Sequence, residues 1–427
     1  MTTQSDKAGG KIFYGWILLA ACFFLSVIGI GIFYCFGVFI KPFQDEFLVN
    51  RATVSSIYSV YGLVQLTAVF GGWASDRFGP RAVLAVCGPL TFAGFILSSR
   101  VDSFWQLYIT YGIVLSLGGS AVFTTILSTT SRWFVKKRGL AMGILTSGIA
   151  CGMMVMPFFT ERFVSDYGWR TAMVILACAS LTIFIIAAFL IRRNPAEMNL
   201  LPYGVTREKN NSIYQNAADI VTTQQQQNDP TLQQAIRTRE IWLLFGMFAT
   251  LGASVMMVNT HVIRYALDSG LSSARAALIV SIIGAGGIVG KLVGGALSDK
   301  VGSRRIIVIC AAVLAIMMAL LATPMTQWRF YAFAVPFGLA YGGWVPNITV
   351  LISDIFGTTH YGKIFAFANM GFAIGGSFSA PLLAGYIFDT TGSYHIAFLS
   401  GAGISVLAIV FTLLIKKNKI LSSAQRS

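Results

Sequence analysis

Lys291 is the residue whose position most constrains what this chain can do. It lies inside the apolar run 274–297, eight residues before Asp299, which is roughly 12 Å of helix from the polar turn that follows. An ammonium group in lipid is costly. It must face a cavity or an anion, or else snorkel along its stem to the interface. Its chemistry is therefore capture of a small negatively charged molecule, or a change of protonation. His261 and Arg264 stand one turn apart near one end of the run 241–266, with Asp268 just beyond. The imidazole can titrate near neutral pH, and the guanidinium would draw anions to a mouth. Both also suit residues resting at the membrane surface. No carboxylate lies near the centre of any apolar run, so a coupled proton would have to ride on His261, Lys291, Asp268 or the substrate itself.

A second set of residues could line a chamber. Tyr61, Gln65, Thr124, Tyr341, Asn347 and Asn369 fall near the midpoints of apolar runs. A midplane site needs a few hydrogen-bonding groups among apolar walls. Taken singly, most such residues are contacts between helices, and Tyr341 stands apart for its central depth and the surrounding glycines. No HExxH, P-loop, GxSxG or paired intramembrane acid is found, which argues against an enzyme and gives no reason to expect a metal or cofactor. The six cysteines all fall within apolar stretches without ligand spacing and read as small core residues.

The elements that must position these groups are membrane helices. Of the 427 residues 56% are hydrophobic and only 11% charged, and mean hydropathy is +0.72. That excludes an ordinary soluble domain. With about 20 residues per crossing, spans are expected near 13–40, 52–74, 81–99, 104–131, 138–160 and 169–191, then 241–266, 274–297, 305–323, 329–353, 363–387 and 394–415. The polar stretch 192–240 reads as a cytoplasmic linker between two six-helix bundles, 13–191 and 241–415, with cytoplasmic tails 1–12 and 416–427. The net charge of +15 could suggest nucleic acid, but the basic residues sit between the spans. With both termini inside, about 22 of the 31 fall on the inner side and about 8 on the outer. That is the bias of a multi-pass protein of the plasma or inner membrane, whose partners are lipid and a small solute, with no nucleic acid. A monomer is expected.

Two loops, about 220 residues apart, say nearly the same thing. Gly72-Trp73-Ala74-Ser75-Asp76-Arg77-Phe78-Gly79-Pro80-Arg81 and Gly295-Ala296-Leu297-Ser298-Asp299-Lys300-Val301-Gly302-Ser303-Arg304-Arg305 each join two apolar runs at the same place in each half. The repeated loop, six plus six spans and the linker together resemble the major facilitator superfamily. That resemblance implies an all-α membrane protein of 12 transmembrane helices in two pseudo-symmetric six-helix bundles. It also implies cytoplasmic gating roles for Asp76, Arg77, Arg81, Asp299, Lys300, Arg304 and Arg305.

Within the superfamily, Tyr14-Gly15-Trp16, Tyr34 to Phe39 with Lys41-Pro42, the stretch Trp133 to Gly143, and Gly385 to Tyr394 are similar to the monocarboxylate transporter branch. The oxalate/formate exchanger type is a near neighbour. The resemblance implies that Lys291 stands where that branch typically has an arginine clamp for the substrate carboxylate. Lysine supplies a point charge in place of a bidentate fork. The function expected is secondary transport of a small organic anion, a monocarboxylate first, by alternating access and with proton symport as one mode. The alternatives are an oxalate/formate type exchanger or an exporter of a neutral or hydrophobic compound.

Overall fold

The computed structural model describes residues 13–49, 51–205 and 229–415. The two tails and most of the linker therefore lie outside the described residues. What is described is helical, and its sole pairing of extended backbone is an isolated bridge between Phe134 and Tyr203. A backbone that spans lipid must satisfy its N–H and C=O groups internally, and a helix does so within each segment.

Helix α1 (Tyr14–Phe47) contains a wide turn at Leu25–Ile30 and a tight one at Gly31–Cys35. Helix α2 (51–78) has a tight turn at Gln65–Thr67. Helices α3 (Pro80–Ser99) and α4 (Phe104–Trp133) follow. The stretch Arg138–Leu190 is broken at Gly168, where φ is 79°, into α5 (138–167) and α6 (169–190). In the second half come α7 (Arg239–Asp268), α8 (Ser273–Val301), α9 (Ser303–Leu321) and α10 (Gln327–Phe356). The last two are α11 (361–391), with a wide turn at Phe372–Ser379, and α12 (His395–Leu414). Among the described residues, nine helical stretches are long and apolar enough to cross a membrane, one of them being the pair α5–α6.

Large apolar side chains are left on the outside, among them Phe70, Phe158, Phe189, Trp328 and Phe378. Such a surface suits acyl chains and would be insoluble in water. Cys178 lies on it, exposed, which corrects the expectation that all six cysteines are core residues: an apolar helix face in lipid need not be buried in protein. All six are free.

Between helices, small residues allow close approach. A Cβ at Gly286 would stand 3.2 Å from the α carbon of Gly338, and one at Gly294 would stand 2.8 Å from that of Gly343. This glycine seam sets α8 against α10.

Candidate functional site

The two repeated loops meet opposite halves. A Cβ on Gly72, at the end of α2, would collide with the carbonyl of Gly362 at the start of α11, and one on Gly295 in α8 would collide with the carbonyl of Gly139 at the start of α5. Four residues after each of these glycines comes the aspartate, and it reaches the helix just approached. Asp76 Oδ2 accepts from the backbone N–H of Lys363 at 3.3 Å. Asp299 accepts from Gly139 N–H at 2.8 Å and Leu140 N–H at 3.1 Å. Both carboxylates thus take up unpaired amides at a helix N-terminus, where the helix dipole favours negative charge. The second glycine of each loop, Gly79 or Gly302, has φ of 85° or 94° and turns the chain into the next helix.

Further cross-half bonds cluster at this end. Arg132, at the end of α4, pairs with Asp76 at 2.9 Å and donates to the carbonyls of Thr358 and Thr359. Arg138 donates to Ser353 Oγ at 3.2 Å and lies 3.7 Å from Asp354, both near the end of α10.

The basic residues of the two loops stay within their own halves. Arg81 donates to the carbonyls of Phe189 and Ile191 at the end of α6, and Arg304 to those of Thr412 and Leu413 at the end of α12. Arg77 lies over the rings of Trp73 and Phe78. Lys300 and Arg305 are exposed. Sequence reasoning missed Arg132, Arg138 and Asp354. Their signal was position, since α4 and α10 occupy the same place in each half and carry Arg132 and Asp354 within three residues of their ends.

Deeper inside, Lys291 is only 4% exposed, and its Nζ lies 5.5 Å from the centre of the Tyr341 ring on α10. It has not snorkelled into lipid. Gly287, one turn earlier, leaves room for that ring, since a Cβ there would stand 3.3 Å from Tyr341 Cδ1. On the other side α5 crosses at Gly143, against the carbonyl of Lys291. The backbone at Lys291 is therefore packed against the first half, while its buried ammonium has the π face of Tyr341 beside it.

The other expected lining residues are placed differently. Asn347 is fully buried in the α8–α10 seam, donating to the carbonyls of Gly294 at 3.0 Å and Gly343 at 2.7 Å. Thr124 donates to Ala121 O at 3.0 Å on its own helix. Tyr61 packs 5.8 Å from the ring of Phe33, and its carbonyl accepts from Ser116 Oγ, which also accepts from Gln65 Nε2. Asn369 is half-buried on α11. His261 Nδ1 is 3.3 Å from Tyr394 Oη, near the turn before α12 and thus toward the end away from the repeated loops. Asp268 is exposed at the end of α7, and the Arg264 side chain lies outside the described residues. Lys291 and Tyr341 are the pair brought together. No cluster of His, Cys, Asp or Glu able to hold a metal is found among the described residues.

The comparison with known families settles the class. The Major Facilitator Superfamily model matches residues 19–380 and, in an overlapping second match, 264–427. This chain belongs to the major facilitator superfamily. Monocarboxylate transporter 12 of Mus musculus is 26% identical over 412 residues, covering 93% of this chain and 84% of the mouse protein. Monocarboxylate transporter 13 of Bos taurus is 25% identical over 413 residues, covering 92% and 89%. An uncharacterized MFS-type transporter, YhjX of Escherichia coli strain K12, is 26% identical over 334 residues, covering 76% and 77%. Among solved structures, the proton:xylose symporter XylE bound to 6-bromo-6-deoxy-D-glucose superposes with a TM-score of 0.73 at 15% identity, covering 95% and 96%. A double tryptophan variant of XylE gives 0.77 at 16%, covering 97% and 98%. The superfamily fold is thereby shared. The chain is an integral multi-pass membrane transporter and not an enzyme.

Proposed function

We propose that this transporter moves a small organic anion, a monocarboxylate first, by rocking two six-helix bundles about Lys291. The bundles are 13–191 and 241–415, joined by the 192–240 linker, with twelve crossings and both termini in the cytoplasm of a cell bounded by this membrane. The observation that carries the reading is Lys291 itself, 4% exposed, between a tyrosine face and the α5 backbone. A buried ammonium with no carboxylate among its charge partners in the described residues is incomplete until an anion arrives. The names of the monocarboxylate transporter relatives support the same class.

The end with the repeated loops is the cytoplasmic gate in this reading, closed here by Asp76, Asp299, Arg132 and Arg138. Tyr341 orients the anion, and Tyr61, Thr124, Asn347 and Asn369 shape the surrounding helices. His261 and Asp268 are the candidate proton carriers, with Arg264 drawing anions to the outer mouth. Arg77, Arg81, Lys300, Arg304 and Arg305 hold the loops that carry the two aspartates.

The test is uptake of labelled lactate, pyruvate or oxalate into proteoliposomes, with and without a pH gradient. Lys291→Gln should reduce carboxylate uptake at least tenfold, since a charge-assisted contact contributes about 1.5–3 kcal/mol. Acceleration by an inward proton gradient points to symport; uptake that needs an internal anion points to exchange. If no carboxylate is taken up, or Lys291→Gln transports as well as the parent protein, the anion reading is wrong.

A further inference from the structure

The described part of the linker resumes at Asp229, and its carboxylate is engaged at the gate. Asp229 Oδ2 accepts from the backbone N–H groups of Thr358 and Thr359, each at 3.1 Å, and from Thr359 Oγ1 at 2.7 Å. Arg132 of the first half takes the carbonyls of the same two residues, through Nε to Thr358 O at 3.1 Å and Nη2 to Thr359 O at 3.4 Å. Two successive residues are thus held at their amides by the linker and at their carbonyls by the opposite bundle. Four residues after Thr359 comes the Lys363 amide that Asp76 accepts from. Gly357 begins the turn with φ of 75°, and the Asp229 carboxylate fills the space where a Cβ would stand.

The segment carrying Asp229 is itself anchored. Thr231 and Gln234 form a reciprocal cap for the short helix Leu232–Ile236, whose Ala235 is fully buried. Trp242 Nε1 on α7 donates to Ile236 O at 2.9 Å. Thr231, Leu232 and Gln233 border an open groove of about 630 Å³ whose other walls are Val69, Phe70 and Trp73 of α2 and Lys363 of α11.

We propose that Asp229 is a positioning residue of the gate. It holds the 357–360 turn in the conformation that Arg132 and Asp76 can grip, so the linker sets how firmly this end closes. Its own hydrogen bonds run to the second half, so they persist when the bundles part and keep the turn ready for reclosure. Ordering that turn in advance removes an entropic cost from each closing event. The proposal rests on the reading of this end as a gate.

Hydrogen exchange of the full chain in lipid nanodiscs tests it. Asp229→Asn should speed exchange at Thr358 and Thr359, and also at Gly139 and Leu140, which Asp229 does not touch, by roughly fivefold at the latter because both arms open in one event. Thr359→Val, which removes one bond and keeps the backbone, should move the same amides in the same direction by less, and it decides the matter if Asp229→Asn fails to fold. Faster exchange confined to residues 357–360 would make Asp229 a local cap and overturn the proposal. Asp76→Asn in parallel separates the two ideas: if it leaves Gly139 and Leu140 unchanged, the two arms do not open together and the gate reading falls, taking this inference with it.

Discussion

The two repeated loops place a glycine, an aspartate and a turning glycine at matching positions, yet they hold opposite halves together by different electrostatics. Asp76 is 6% exposed and shares its oxygens between a helix amide and the buried guanidinium of Arg132. Asp299 is exposed and gives both oxygens to the amides of Gly139 and Leu140. One arm is a buried ion pair that also caps a helix; the other is a wet helix cap. Duplication preserved the geometry and let the surroundings of the charge diverge. The first arm should therefore be strong and brittle, and the second weaker and sensitive to solvent.

Removing the buried charge gives the largest effect. Asp76→Ala leaves Arg132 desolvated and unpaired, a loss of about 3–5 kcal/mol from the closed state. Spin labels placed across the loop end should report a shift to long distances, and the melting temperature should fall. Asp76→Leu combined with Arg132→Met should recover most of the melting temperature, because an apolar pair of similar volume avoids the desolvation cost. If Asp76→Ala is no more harmful than Asp299→Ala, burial is not what separates the arms.

Asp299→Ala comes next. Losing a helix cap costs about 1 kcal/mol, with a further few tenths from the dipole. Since this carboxylate faces solvent, its contribution should shrink between low and high salt, whereas that of Asp76 should hardly change. The same spin-label distances, followed from about 0.02 to 0.5 M salt, check both. Equal salt dependence in the two arms would remove the distinction.

The contrast also shows what was legible in the chain before folding. The loops announced themselves because a glycine and an aspartate at fixed spacing leave a pattern, and Lys291 did so because a cation in an apolar run is rare. Helix type and approximate limits followed from the length of apolar runs. Partners across the halves left no such mark. Arg132 and Arg138 looked like ordinary members of a basic inner-side stretch, and Asp354 like a helix-end acid, until α4, α5 and α10 converged. Asn347 was expected in a chamber and lies in a seam, because the neighbouring Gly343 and Gly294 let its amide reach two backbone carbonyls. A single sequence shows which residues are unusual, but it does not show which face of a helix they share with a neighbour.

The smallest effect is one of pH, and the group behind it lies in one arm. The turn gripped by the first arm contains His360, while the N-terminus capped by Asp299 follows Lys137 and Arg138, with no histidine in the sequence from Trp133 to Gly143. Burial pushes the His360 imidazole below its ordinary range; Asp76 and Asp229 pull it up, and Lys363 and Arg132 push it further down. A histidine with a depressed pKa favours its neutral form while the turn is packed as seen here and takes up its proton more readily once the turn is free. Closure by this arm is thus fully supported above about pH 6.5 and weakens as pH falls below it. Exchange at Thr358 and Thr359, and with it exchange at Gly139 and Leu140 because the arms open together, should rise between about pH 7.5 and 5.5 after correction for intrinsic chemistry. His360→Gln, neutral at every pH, should flatten that rise. A rise that survives His360→Gln would place the sensitive group elsewhere.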